Sequence, residues 1–220
     1  MVNLGPTTRG VPMVLKNGWY GLVLRVDDLT AEKACELGRM HAGNSAMAPS
    51  QIHFTLYQSA DMRGLDLNPG LLVPMKQNIA KPIAQDLNMM FSLDTMRVHG
   101  DQYLMWHARV AMTVQRMHVA AMILLSPFVS DEQKQRMVDL VKARNPSIRP
   151  RDLGLVRECA LEWVRWRNVP HLQCAFAQPS LPALQPRTRY EHRGIFTALE
   201  LTSHGPNGRL KETIYRIPIE

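Results

Sequence analysis

The chain contains few cysteines, and they show no paired spacing. Its 220 residues include three, Cys35, Cys159 and Cys174, and no Cys-x-x-Cys pair occurs. An odd and scattered set argues against a disulfide framework and against a zinc site. We therefore expect a reducing compartment, of which the cytoplasm is the simplest, with an organellar presequence as an open alternative. We expect neither a metal nor a cofactor.

Long apolar runs and glycine-rich phosphate loops are also missing. The longest apolar run, Val119–Leu125, has the length of a strand and is too short to span a bilayer. Neither GxxxxGK[ST] nor GxGxxG occurs, and there is no low-complexity tract or repeat of 20–50 residues. The sequence therefore predicts no membrane partner, and it does not indicate an oligomeric state.

Positive charge is concentrated in one part of the chain. The formal net charge is +7, and residues 141–193 hold ten Lys or Arg against four Asp or Glu, which accounts for +6 of it. A basic segment of this kind suggests a phosphate-bearing partner such as RNA or a nucleotide. The open alternative is a solvated surface with an incidental excess of charge.

Apolar periodicity predicts a mixture of strands and helices. A strand–helix–strand unit that ends with the strand 51–58 is followed by a second unit of the same order, which consists of a strand at 118–125, a helix and a strand at 168–178. This order suggests two related lobes. The predicted strands are 19–26, 51–58, two strands within 94–112, 118–128, 168–178, and a closing hairpin over 194–219. The predicted helices are 30–43, 80–91 and 130–144, with a loop at 61–74.

Two of these strands each carry a histidine with a polar side chain two residues later. Because side chains alternate along a strand, His53, Thr55 and Tyr57 share one face, and His171 and Gln173 share a face of the other strand. If the lobes pack side by side, two imidazoles and two polar side chains face one cleft.

Such a set suits phosphodiester chemistry. A neutral histidine can take a proton from the attacking oxygen, while a protonated one gives a proton to the leaving oxygen. The alternative is that these are structural histidines. His107 and His118 are weaker candidates for the second position, because neither has Ser or Thr two residues later. The remaining histidines fall in predicted loops, helix ends or turns and are expected at the surface: His41, His99, His192 and His204.

The segment "QIHFTL" (51–56) resembles the first His-x-Thr/Ser motif of the two-histidine (2H) phosphoesterase superfamily. That superfamily includes RNA 2′,3′-cyclic phosphodiesterases and 2′-5′ ligase-like proteins. "WYGLVLRVDDLTAEKACEL" (19–37) resembles its opening strand and helix, and "NVPHLQCAFA" (168–177) is similar to the strand of its second motif. "IFTALELTS" and "ETIYRIPI" resemble its final hairpin. The resemblance extends over most of residues 19–219.

The resemblance implies an α+β fold of two lobes, with two antiparallel sheets flanking a central cleft and helices outside. Residues 1–18 would be an extension and 19–220 a single bilobal domain. The implied activity is metal-independent hydrolysis of a 2′,3′-cyclic phosphate, a 2′-5′ linkage or a cyclic oligonucleotide. His53 and His171 would be the acid/base pair, and Thr55 and Gln173 would hold the phosphate.

One position departs from the family pattern. The second motif has Ser or Thr two residues after its histidine, and this chain has Gln173. The amide can still donate a hydrogen bond to phosphate, but from a longer side chain with a different direction. Two alternatives therefore stay open, which are a weakened RNA- or nucleotide-binding module and a structural component of a ribonucleoprotein assembly.

Four further residues are candidates for contact with substrate. Tyr57 points the same way as His53 if its strand is regular, and Tyr20 is a possible platform for a base. Arg165 and Arg167 precede the second motif and could meet a phosphate. The other possible platforms are three tryptophans, each more often a core residue: Trp106, Trp163 and Trp166.

Overall fold

The structure is a computed structural model, and it describes residues 13–85, 90–99, 103–110, 112–160, 171–176, 188–205 and 209–219. The described strands are β1 (Gly18–Val26), β2 (His53–Met62), β3 (Met90–His99), β4 (Tyr103–Arg109), β5 (His171–Phe176), β6 (Arg189–His204) and β7 (Leu210–Pro218). The described α-helices are α1 (Asp28–Ala42), α2 (Pro69–Pro74), α3 (Lys81–Gln85), α4 (Met112–Leu125), α5 (Asp131–Arg144) and α6 (Pro150–Cys159). A π-helical segment, Met75–Ala80, joins α2 to α3.

Side-chain caps explain where the two longest predicted helices begin. The carboxylate of Asp27 accepts a hydrogen bond from the backbone N–H of Thr30 at 2.9 Å, which starts α1. The hydroxyl of Ser130 accepts from the N–H of Gln133 at 3.1 Å, which starts α5. Each cap satisfies an N–H group that has no partner within its helix. Both predicted helices are confirmed.

The strand predicted over 118–128 is wrong, because this segment belongs mostly to helix α4. Its buried residues recur at helical spacing, and a short apolar run does not by itself distinguish a strand from a buried helix. They are Val114, Met117, His118, Ala121, Met122 and Leu125. The predicted similarity between the two strand–helix–strand units therefore fails at this segment, because the first element of the second unit is a helix.

The boundaries around residues 61–91 also differ from the prediction. The predicted loop becomes helical at Pro69, where the side chain of Asn68 caps α2. The helix predicted over 80–91 ends its described part at Gln85, and Met90 already belongs to β3. The apolar residues at this junction suit either a helix or a strand by their sequence. Pairing with β6 then makes them part of strand β3.

All seven strands form one antiparallel sheet in the order β2-β1-β6-β3-β4-β5, and β7 also pairs with β6. The first half of β6 pairs with β3, and its second half pairs with β1 and β7. The predicted α+β class is confirmed. The two predicted sheets are two parts of one sheet that share the long strand β6. The first lobe contains β1, β2, β7 and the second half of β6, and the second lobe contains β3, β4, β5 and the first half of β6.

Three phenylalanines pack together where the lobes join. Phe54 of β2, Phe91 of β3 and Phe196 of β6 have ring centroids 4.7–5.3 Å apart. All three are at most 2% exposed and belong to the main apolar core, to which α1 and α4 also contribute. Edge contacts of this kind fix the relative orientation of aromatic rings, so this cluster connects the cores of both lobes.

Helix α1 approaches β5 very closely at Gly38. A Cβ atom at this position would collide with the carbonyl oxygen of Cys174 and lie 3.2 Å from Cβ of Ala46. Beside this contact, the N–H of Met47 donates to the same carbonyl at 2.8 Å. The segment after α1 thus runs along β5 before it enters β2, and strands β2 and β5 come into contact.

Part of the predicted N-terminal extension contacts the domain. The N–H of Leu15 donates to the carbonyl of Leu65, and the N–H of Leu67 donates to the carbonyl of Met13. Residues 1–12 lie outside the described residues, so the boundary at residue 18 stays a prediction.

Within the described residues, no helix combines the length and the apolar character that crossing a membrane requires.

Replacing Gly38 with Ala tests the helix contact. Although alanine is the better helix former, its methyl group would overlap the backbone of Cys174, so we expect Gly38→Ala to lower the free energy of unfolding by about 1–3 kcal/mol. Gly154→Ala in α6 is the matched control, because no atom lies within 4 Å of its added Cβ. That variant should gain up to about 1 kcal/mol. Urea denaturation measures both, and a stabilised Gly38→Ala would refute the close contact.

Candidate active site

His53 lies at the start of β2 with its proton position fixed by the backbone. Its ring is buried, and Nδ1 is 2.6 Å from the carbonyl oxygen of Gln51. A carbonyl can only accept, so Nδ1 carries the hydrogen and Nε2 keeps its lone pair in the neutral ring. The nitrogen left with a lone pair is the one that can take up a proton from a reactant.

The surroundings of His53 oppose its protonation. Burial is the largest cause, and the positive charges of His204, Arg25 and His171 add to it, so the pKa of His53 is lowered to about 3 despite the hydrogen bond to Gln51. His53 is therefore neutral at pH 7 in the free protein.

Arg25 holds the beginning of β2 in place. It pairs with His53 across strands β1 and β2, and its Nη1 donates to the carbonyl of Ser50 at 2.8 Å and to that of Ile52 at 3.3 Å. Its Nε lies 3.6 Å from Glu200. The arginine thus positions the backbone on both sides of Gln51, whose carbonyl orients His53.

A buried acid balances part of the positive charge on this face of the sheet. Glu200 of β6 is 2% exposed, accepts a hydrogen bond from Thr213 at 3.0 Å, and lies 3.5 Å from Nη1 of Arg216. A buried carboxylate requires such partners to remain charged. The sequence did not single out Glu200, because one acidic residue in an apolar strand has no motif around it.

His204 is also part of this cluster, and the prediction that it is a surface residue is wrong. It is 6% exposed, and its ring centroid lies 6.1 Å from that of His53 in an edge-on arrangement. The hydroxyl of Thr202 donates to the carbonyl of Gly21 and therefore accepts from Nε2–H of His204 at 2.9 Å. The sequence pattern that could have indicated this position is the alternation of Thr202 and His204, which puts both side chains on one face of β6.

The other lobe contributes a second pair of histidines. His171 of β5 is the cross-strand partner of His107 of β4, and their ring centroids are 6.3 Å apart. Gln173, the partner of Met105, follows on the same face. Its side-chain nitrogen is buried and has no acceptor among the described residues. The amide nitrogen is thus a donor available for a ligand.

The two proposed catalytic histidines come from opposite ends of the strand order. Strands β2 and β5 are the outer strands of that order, yet they contact each other because the sheet curves. His171 is close enough for its charge to depress the pKa of His53. The two predicted histidines are thus near enough to interact electrostatically, and their roles as a catalytic pair stay a prediction.

Tyr57 does not lie beside His53, and the prediction that both point the same way is wrong. A β-bulge at Leu56 shifts the register with β1 and reverses the alternation, so Tyr57 faces the core and is 1% exposed. Its hydroxyl donates to the carbonyl of Cys159 at 2.9 Å, and burial raises the pKa of its phenol. His118, which donates from Nδ1 to the carbonyl of Leu56, supports the bulge.

Tyr20 also faces the core. It is 8% exposed and its hydroxyl donates to the carbonyl of Lys16 at 2.6 Å, which excludes it as a base platform. Trp106 is fully buried, with Nε1–H bonded to the carbonyl of Tyr190. The other predicted contacts lie outside the described residues: Arg165, Arg167, Trp163 and Trp166.

Two other histidines have contacts away from the site. His41, at the end of α1, lies 3.0 Å from the hydroxyl of Tyr190, and His192 lies 2.9 Å from the hydroxyl of Thr30. Over the part of the chain that the structure describes, no group of three or more His, Cys, Asp or Glu side chains is arranged to hold a metal ion.

The lowered pKa of His53 makes folding depend on pH. Since the unfolded chain binds a proton below pH 6.5 and the folded chain only near pH 3, stability falls as the pH decreases through this range. Between pH 7 and pH 5, we expect the wild type to lose about 2 kcal/mol more of its free energy of unfolding than His53→Asn. Urea titrations at both pH values measure this difference.

The lowered pKa values of His41 and His118 act equally in both proteins and cancel in that comparison. Equal losses in the wild type and in His53→Asn would show that His53 titrates in the folded protein as it does in the unfolded chain.

The chain matches no protein-family model and no curated protein sequence. Among solved structures, it is similar to TT0787 of Thermus thermophilus, with 10% identity and a TM-score of 0.55 over 91% of this chain and 97% of that one. E. coli LigT, in complexes with ATP and with 3′-AMP, is 10% and 9% identical, with TM-scores of 0.46 and 0.47, over 92% of this chain and 98% of LigT. TT0787 and LigT are two-histidine phosphoesterases. By its similarity to TT0787, the chain has the two-histidine phosphoesterase fold.

Proposed function

We propose that this protein is a metal-independent phosphodiesterase that acts on an RNA end or a nucleotide. Its substrate would carry a 2′,3′-cyclic phosphate, a 2′-5′ linkage or a cyclic oligonucleotide bond. The observation that carries the proposal is a neutral, backbone-anchored His53 in the same environment as His171. The α+β fold shared with TT0787 supports the phosphoesterase class.

His53 is the general base in this proposal. Its Nδ1–H is held by the carbonyl of Gln51, so Nε2 has a lone pair to take a proton from an attacking water molecule. A weak base is a poor proton acceptor, but a bound phosphate changes the balance of charge. Its negative charge offsets the cations that depress the pKa of His53, so basicity rises when substrate binds.

His171 is the general acid. As the oxygen of water bonds to phosphorus, its proton passes to Nε2 of His53, and the bond between phosphorus and the ribose oxygen breaks. The ribose oxygen takes a proton from His171, which yields a hydroxyl and a phosphate monoester. Exchange of protons with water then restores both imidazoles.

Thr55 and Gln173 hold the non-bridging oxygens of the phosphate. Thr55 precedes the bulge of β2 and therefore shares the face of His53, while the amide nitrogen of Gln173 is a buried donor without an acceptor among the described residues. A donor already buried loses little solvation when an oxyanion arrives, so its hydrogen bond strengthens as charge develops.

Removing either imidazole tests the proposal. We expect His53→Ala and His171→Ala each to lower kcat by about 10²–10⁴-fold, because each removes one partner of the acid/base pair. The assay measures hydrolysis of 2′,3′-cyclic nucleotides, 2′-5′ oligoadenylates and cyclic dinucleotides in the presence of EDTA. His41→Ala is the matched control, since His41 contacts Tyr190 away from the site, and it should retain wild-type rates.

Two results would contradict the proposal. Wild-type activity in both alanine variants would exclude the histidine pair. Binding of a nucleotide by the wild type without hydrolysis of any substrate would instead favour a binding module.

Substitutions of Gln173 distinguish two hypotheses: that this glutamine binds the phosphate during turnover, and that it impairs turnover. Gln173→Leu removes the amide donor, so we expect kcat/KM to fall by about 10²–10³-fold, as for loss of an oxyanion donor. Gln173→Thr keeps a donor and should stay within about tenfold of the wild type. Steady-state kinetics measures both. A large gain in rate for Gln173→Thr would mean that the natural glutamine impairs turnover.

A further inference from the structure

Trp19 lies on the same face of β1 as Arg25, the cross-strand neighbour of His53. Side chains alternate along the strand, so Trp19, Gly21 and Arg25 point to one face, while Tyr20 and Leu22 enter the core. Trp19 is partly exposed, unlike the fully buried Trp106. It therefore offers part of an aromatic surface on the face that carries the histidines.

His204 connects Trp19 to the proposed catalytic centre. Its ring centroid lies 6.4 Å from that of Trp19, with 35° between the planes, and 6.1 Å from that of His53. Trp19 and His53 can therefore be no farther apart than these two distances combined. A nucleotide whose phosphate lies at His53 is long enough for its base to reach Trp19.

Gly21 leaves room between these side chains. A Cβ atom at Gly21 would lie 2.9 Å from Nε2 of His204, 2.8 Å from Cβ of Gln58 and 2.7 Å from the carbonyl oxygen of Tyr57. Gln58 is the cross-strand partner of Gly21, and it follows the bulge of β2, so its side chain lies on the histidine face. Trp19, Gln58 and His204 thus surround the backbone of Gly21.

Two polar atoms in this group have no hydrogen-bond partner among the described residues. They are the donor Nε1–H of Trp19 and the acceptor Oε1 of Gln58, and both are buried. A buried polar group without a partner costs free energy, and such groups are uncommon in folded proteins. Here a donor and an acceptor occur together, beside an aromatic ring and a histidine.

We propose that Trp19 and Gln58 form a subsite for the base of an unpaired nucleotide, next to the proposed phosphate site. The base stacks on the indole ring and donates from its exocyclic amine to Oε1 of Gln58, while Nε1–H of Trp19, which lies in the plane of the ring, donates to an oxygen of the attached ribose. Base edges carry such donors, and aromatic stacking is the usual means by which proteins hold unstacked bases. This subsite deepens the proposed function and rests on it, because it selects single-stranded or mononucleotide substrates.

The subsite is tested by binding of two phosphate probes that differ in the base. Adenosine 3′-monophosphate carries a base, and glycerol 2-phosphate does not. Isothermal titration with wild-type protein, Trp19→Leu and Trp19→Phe measures both affinities. We expect Trp19→Leu to weaken adenosine 3′-monophosphate binding about 10–100-fold, because stacking is lost. Trp19→Phe should weaken it less, about three- to tenfold, because an aromatic ring remains for stacking while the indole N–H and part of the ring area are lost.

Gln58→Met removes the acceptor at nearly constant length and should weaken binding of adenosine 3′-monophosphate about three- to tenfold. Affinity for glycerol 2-phosphate should stay unchanged in all three variants. Tyr215→Leu is the matched control, because Tyr215 pairs with the core residue Leu201 on the other face of the sheet. Thermal melting verifies that each variant is folded.

Equal weakening of both probes in Trp19→Leu, or no weakening of either, would overturn the subsite. So would failure of the wild type to bind adenosine 3′-monophosphate more tightly than glycerol 2-phosphate. Absence of hydrolysis would refute the proposed activity alone, since a base-dependent affinity that is lost in folded Trp19→Leu would still support the subsite.

Discussion

The close approach of α1 to β5 is the contact on which the arrangement of the site depends. Only a residue without a side chain lets the helix backbone reach the carbonyl of Cys174 at Gly38. That approach directs the chain after α1 along β5, where Met47 bonds to the same carbonyl, before it continues into β2. Strands β2 and β5 therefore meet, and each brings a histidine to the contact.

Burial, together with positive charge on the histidine face, accounts for the protonation state of His53. Arg25, His204 and His171 all oppose a further cation there, and Glu200 is a buried acid opposite Arg25. A face of this kind favours a ligand that brings negative charge and accepts hydrogen bonds. Phosphate meets both requirements, which ties the electrostatics of the free protein to the proposed chemistry.

The two lobes have a similar arrangement of histidines but differ in their other hydrogen-bonding residues. Each has a second histidine beside the proposed catalytic one, His204 beside His53 and His107 beside His171. In the first lobe a bulge at Leu56 follows Thr55 and places Gln58, rather than Tyr57, on the same face. In the second lobe a glutamine occupies the position that Thr55 has in the first. The lobes thus supply different hydrogen-bonding groups to opposite sides of a substrate.

The amino-acid sequence alone was enough to predict the two histidine strands, the capped helices α1 and α5 and the class of fold, because alternation, caps and short motifs are local properties of the chain. It mistook α4 for a strand, since a short apolar run fits either element until packing decides. It also wrongly placed Tyr57 beside His53. In addition, it wrongly placed His204 at the surface. These positions depend on tertiary contacts, because a bulge reverses alternation without a sequence signal, and because pairing along β6 brings distant residues such as His204, Glu200 and Trp19 to one face.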